Sequence, residues 1–248
     1  MSSLSSVGLG FYVLVLIGAF AVRSAAGFGA GLIAVPMLAF VLPVSTAVSV
    51  ATALTTLTSV GQVGRDWRHI AWRQFVILEF YTILGIGVGF YFIKFLDENT
   101  LRHSLAIFLI VYSVYALWTA NASLVLPARW HGVLAAVVGI VGGLFSALFG
   151  GGVGPIYVVY FNILRMQREA FRVTMSAVVL IGGAARIGGY ASYGLYGGST
   201  ITLLALGLPL VIVGSWVGDR LARWLSVQMF SRFVGGLVLL SGVALLLK

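Results

Sequence analysis

Ten apolar runs fill this chain. Inside a bilayer such a run can satisfy its own backbone N–H and C=O groups only by coiling into a helix. In the first half they cover residues 7–26, 32–42, 44–61, 74–96 and 101–119. In the second half they cover 131–149, 155–164, 170–190, 200–222 and 230–247. Spanning takes about 20 residues, so eight runs are near that length, while 32–42 and 155–164 are about half of it. With 60% hydrophobic and 8% charged residues and a mean hydropathy of +1.09, the chain has too little polar surface to coat a soluble globule. It reads as an all-α polytopic membrane protein, with the stretch from about Val7 as a membrane helix rather than a cleaved signal.

The plan of the first half recurs in the second. At an offset of 123, Gly27, Gly29, Gly31, Ile33 and Val35 fall on Gly150, Gly152, Gly154, Ile156 and Val158. Further along, Ala47, Val50 and Leu57 fall on Ala170, Val173 and Leu180. The expected organisation is one integral membrane domain of two repeats, residues 1–122 and 123–248. Each repeat comprises a re-entrant or broken-helix hairpin plus three transmembrane helices. The glycines Gly27, Gly29 and Gly31, and Gly150, Gly151, Gly152 and Gly154, break the helices before the two short runs. Such breaks survive in a membrane only where protein or a water-filled cavity satisfies the freed backbone.

Charge placement predicts how the repeats are oriented. Arg65, Asp66, Arg68 and Arg73 make one loop basic, whereas its counterpart at 188–196 is uncharged. The uncharged segment 43–49 has a counterpart carrying Arg165, Arg168, Glu169 and Arg172, and the neutral 94–102 corresponds to a region with Asp219, Arg220 and Arg223. Basic loops favour the cytoplasmic side, so positive charge that switches halves three times predicts inverted repeats, with both termini outside. The formal charge of +9 is spread over short loops without a basic stripe, which argues against nucleic acid as a partner. Cysteine is absent, and with it disulfides and thiolate chemistry.

Each hairpin would aim the unpaired N–H groups of a short helix at the membrane centre, the outline of an anion site. Pro155 suits a first helical turn, where its missing N–H has no intrahelical partner anyway. Gly85, Gly89, Gly139 and Gly143, by contrast, have the four-residue spacing of helix packing. Arg23, one turn before the first glycine cluster, costs at least about 2.5 kcal/mol at mid-membrane unless paired or hydrated. It is expected to hold substrate or to neutralise Glu79. Glu79, the acid well inside an apolar run, is a candidate proton carrier or arginine partner, and Arg186 either pairs with it or snorkels to the interface. Thr52, Thr55, Thr56 and Ser59 share one side of a helix and either contact substrate or bond back to their own helix. Tyr157, Tyr160 and Asn162 either bind substrate or sit at the interface, and His69, His103 and His131 fall at span ends. Neither a catalytic constellation nor a metal- or cofactor-binding motif is present, so the expectation is no enzyme, no metal and no cofactor. The expected partners are a small anion and the lipid bilayer, and a homodimer is one assembly the chain could form.

The glycine clusters resemble the duplicated signature of the TauE/SafE sulfite-exporter family of membrane permeases, whose halves carry a run similar to G-x-G-G-G-x-x-x-x-P. The matching residues are Gly27-Phe28-Gly29-Ala30-Gly31 with Pro36, and Gly150-Gly151-Gly152-Val153-Gly154-Pro155; Ala30, Val153 and Val159 depart from the pattern. The resemblance implies transport of small sulfur-containing anions, sulfite or organosulfonates, across the bacterial inner membrane. Bound substrate would then lie among the two glycine clusters, Arg23, Thr52 and Tyr157. Competing readings are a transporter of another small organic anion and a non-transporting assembly or sensory component.

Overall fold

A computed structural model describes residues 6–26, 29–119, 127–150, 154–221 and 227–247. Its regular elements are all helical among those residues. They are α1 (Ser6–Ala26), α2 (Ala30–Leu38), α3 (Val44–Asp66), α4 (Trp72–Ile93), α5 (Glu98–Thr119), α6 (His131–Phe149), α7 (Gly154–Ile163), α8 (Arg168–Ser192), α9 (Gly198–Leu221) and α10 (Val227–Leu246). Six of these, α1, α3, α4, α6, α8 and α9, are long and apolar enough to cross a membrane. The chain is a multi-pass membrane protein. At 1.5 Å per residue, α2 and α7 reach only about 15 Å, roughly half the hydrocarbon core.

The hairpins are lopsided. α1 has span length, and Gly29, at φ 100°, lies beside Val22, since a Cβ on it would stand 3.9 Å from Val22 Cγ1. α1 therefore runs about a turn past the level where α2 begins. α2 ends where the Val41 and Leu42 amides bond back to Leu38 O at 2.9 and 2.8 Å, just ahead of Pro43, which caps α3 in an extended conformation. At that same end of the bundle the carboxylate of Glu98 accepts the Val44 amide, tying the start of α5 to the start of α3.

One helix docking is used twice. On α4, a Cβ at Gly85 would stand 2.2 Å from the carbonyl oxygen of Ile140, and one at Gly89 2.7 Å from that of Leu144. On α9, Cβ atoms at Gly214 and Gly218 would stand 2.7 and 2.2 Å from the carbonyl oxygens of Ile17 and Ala21. Ile17 and Ala21 precede Ile140 and Leu144 by 123 positions, the offset of the glycine breaks. So α4 lies on α6 as α9 lies on α1, in both cases parallel. The third equivalent pair, α3 and α8, cross each other directly and run antiparallel. Thr56 meets Gly183, while further along α3 Gln62 accepts a 2.7 Å hydrogen bond from Ser176, earlier on α8.

The burial pattern reverses that of a soluble protein. α4 and α9 turn Phe80, Leu84, Ile212 and Trp216 outward, whereas the hydroxyl-rich α3 has the largest buried share of the six spans. Lipid accepts the apolar faces, and polar side chains find partners only inside.

The docking predicts a sharp contrast between glycines. A Cβ at Gly143 on α6 would meet Thr82 O at 2.1 Å and Ile86 N at 2.9 Å, backbone atoms of α4 that cannot swing aside, whereas Gly87 on α4 has open space. Gly143→Ala should therefore destabilise the detergent-solubilised protein by about 1–3 kcal/mol or more. Gly87→Ala should be neutral or slightly stabilising. Thermal unfolding followed by size-exclusion fluorescence distinguishes the two.

Candidate functional site

Hydroxyls along α3 sort themselves by partner. Thr55 donates to Ala51 O at 2.7 Å, Thr56 to Thr52 O at 2.7 Å and Ser59 to Thr55 O at 2.9 Å, the back-bonding open to any helical serine or threonine. Thr52 is the exception. Its Oγ1 is buried and makes no close hydrogen bond among the described residues, the Tyr190 hydroxyl standing within weak reach. It faces the second break: a Cβ on Gly150 would stand 3.0 Å from Thr52 Oγ1. Gly150 holds φ 70° and ψ −154°, a region that side chains do not tolerate, so the chain bends there at the cost of excluding every residue but glycine.

Beyond the break, α7 carries Tyr157 inward. A Cβ at Gly142 would lie 2.7 Å from the Tyr157 ring, so α6 is hollowed to take it. The Tyr157 hydroxyl is buried and makes no close hydrogen bond; Thr82 and Ser146 stand within weak hydrogen-bonding reach, with Glu79 and Arg186 nearby. Tyr160, one turn on, is buried too, while Asn162 is exposed. Tyr160 also lines a cavity with Arg73, Gln74 and His131 between α4, α6 and α7, at the basic end of the bundle. His69 and His103 are exposed.

Arg186 does not snorkel. It is 3% exposed and lies within electrostatic reach of Tyr157, Tyr190 and Tyr196. Across from it stands Glu79, 4% exposed, with neither carboxylate oxygen hydrogen-bonded. A Cβ on Gly182 would be 3.3 Å from Glu79 Oε1 and 3.5 Å from Arg186 Nη1, so the two groups share the space above that glycine without ion-pair contact.

Arg23 belongs to the other break. It is 7% exposed, and its Nη2 donates to Ser59 Oγ at 2.7 Å, two turns along α3 from Thr52. Pairing with Glu79 was one of two roles expected for it; the structure places it on Ser59 and gives Glu79 a different arginine as neighbour. Gly29, Gly31 and Gly154 are buried at the starts of α2 and α7, whereas Gly27, Gly151 and Gly152 lie outside the described residues. Proximity through the fold, which spacing does not encode, brings in Thr82, Ser146, Tyr190 and Gly182. Ser146 did carry a signal, since it occupies the position 123 residues after Arg23.

The buried charged side chains among the described residues are Arg23, Glu79 and Arg186. Two cations and one anion leave the interior positive by one charge when all are ionised. Such an excess is costly in low dielectric and favours the uptake of an anion. No cluster of metal-ligating side chains occurs among the described residues.

A family model described as Sulfite exporter TauE/SafE matches residues 11–245. No curated protein and no solved structure matches the chain.

The two partners considered for Arg23 predict different couplings. Ser59→Ala leaves Arg23 without its hydroxyl partner and should cost roughly 1–3 kcal/mol of stability. In double-mutant cycles read by thermal unfolding, Arg23→Gln with Ser59→Ala should lose less than the sum of the single losses. Arg23→Gln with Glu79→Gln should be additive to within about 0.5 kcal/mol. Strong coupling of Arg23 to Glu79 would refute the placement.

Proposed function

The chain belongs to the sulfite exporter TauE/SafE family, and we propose that it is a secondary transporter moving sulfite or organosulfonates by alternating access around a site near the bilayer midplane. The observation carrying this reading is the net positive charge of the buried interior, two arginines against one glutamate, together with the Thr52 hydroxyl, which makes no close hydrogen bond at the second break. An oxyanion needs several donors from groups that need not be ionised together, and N–H groups at the start of a short helix supply them without side-chain entropy.

Two further features support alternating access. The twice-used docking of α4 on α6 and α9 on α1, with α3 antiparallel to its counterpart α8, fits repeats inverted across the membrane. In that arrangement the Thr52 side of α3 and the Ser59 side belong to breaks approaching from opposite faces, so rocking one repeat against the other would open the site to each side in turn. The cavity lined by Arg73 and His131 would be the cytoplasmic approach, its basic rim drawing anions inward. The membrane in question is the bacterial inner membrane.

Sidedness is checked by cysteines introduced singly into this cysteine-free chain. Position 199 should react with an impermeant thiol reagent on intact cells, and position 123 should not; equal labelling would exclude inverted repeats. The site is checked by isothermal titration of the purified protein with sulfite, alongside flux in liposomes containing this protein alone. Thr52→Val should weaken affinity by roughly 0.5–3 kcal/mol, the range for one hydrogen bond to a neutral or charged partner. Gly150→Leu should abolish binding in protein that still elutes as a folded species. Unchanged affinity in both variants would place the anion elsewhere, and absence of flux would leave a non-transporting component.

A further inference from the structure

Glu79 is an unusual neighbour for an anion site. A carboxylate taken out of water costs several kcal/mol unless it is paired and hydrogen-bonded. Here it is 4% exposed with both oxygens unpartnered, and the cation it faces is held just out of ion-pair contact. The spacing comes from backbone. Gly182 and Arg186 are one turn apart on α8, and the missing side chain of Gly182 leaves the gap into which Glu79 Oε1 and Arg186 Nη1 both project. The other elements packed against this part of α4 bring Tyr157 from α7 and only hydroxyl and backbone groups from α6, so Arg186 is the cation facing Glu79.

Two arrangements of these groups are self-consistent. In one, ionised Glu79 closes onto Arg186, and the pair is neutral with no charge left to hold an anion. In the other, Glu79 carries a proton, and the guanidinium is released to face Tyr157 and Tyr190. An anion and ionised Glu79 cannot both be neutralised by Arg186. We propose that Glu79 is a proton site linked to anion occupancy of Arg186, so that each anion bound is accompanied by one proton taken from solution onto the Glu79 carboxylate and released with it. This rests on the anion-site reading above and adds the coupling ion to it. The step is a protonation alone, with no bond to the anion and no redox change.

The test uses the purified full chain in detergent and methanesulfonate, a sulfonate that stays ionised and so contributes no proton of its own. In weakly buffered solution containing a pH-indicating dye, binding should take up one proton per anion. That uptake and a fall in affinity of about tenfold per unit rise in pH should appear together above the pH at which the free protein gives up the Glu79 proton and vanish together below it, so the titration runs from about pH 6 to about pH 10. Glu79→Gln should bind the anion with no proton uptake and no pH dependence, and Arg186→Gln should lose binding. Binding by the wild type without proton uptake and without pH dependence across that whole range overturns the coupling while leaving the anion site intact. Failure of the wild type to bind methanesulfonate or sulfite at any pH overturns the anion reading and the coupling together. The wild-type measurement decides the question even if Glu79→Gln does not fold.

Discussion

Helices in lipid are not driven together by the hydrophobic effect, because acyl chains are as apolar as leucine; contact must come from close packing of backbone. The docking of α4 on α6 and of α9 on α1 meets that requirement with glycines whose Cα atoms rest on carbonyl oxygens of the facing helix. Everything else in the bundle hangs on these two seams. They fix the long helices at the flanks, where apolar side chains meet lipid, and leave α3 and α8 crossing at the centre.

That central position determines what the helices can carry. α3 would be a poor lipid-facing helix, with its row of hydroxyls, but enclosed by neighbours it can satisfy most of them on its own carbonyls. Its two ends of interest are Thr52, against the Gly150 break, and Ser59, holding Arg23 from the other hairpin. A single helix thus touches both discontinuities, and a shift of it would be felt at both. Charge follows the same logic. Three buried ionisable groups in a membrane interior are expensive, and their imbalance is what the proposed anion would relieve.

Much of this was legible in the chain. The ten runs agree with the ten α-helices of the described residues to within a few residues, because length and hydropathy leave a membrane segment one backbone solution; the 131–149 run coincides with α6. The short runs gave short helices, since Gly29 and Gly150 adopt backbone conformations that a helix cannot contain. Gly85, Gly89, Gly139 and Gly143 pack helices, as their spacing suggests. Less was legible of the site. Four hydroxyls on one face of α3 looked alike, and only the fold separates Thr52 from its back-bonded neighbours. Arg186, near the end of an apolar run, could have reached the interface, but α8 extends to Ser192 and keeps it inside.

The amino-acid order alone therefore determined that the chain is a helical membrane protein with two glycine breaks 123 positions apart, and its motifs pointed to its family. These are properties of local composition and periodicity, each decided within one segment by backbone hydrogen bonding in lipid. Which polar groups meet was decided only by tertiary structure. Arg23 stands on Ser59 rather than Glu79, and Glu79 faces Arg186 across a missing side chain at Gly182. Such pairings join helices far apart in the chain, and they depend on where the glycine seams let the backbones come to rest.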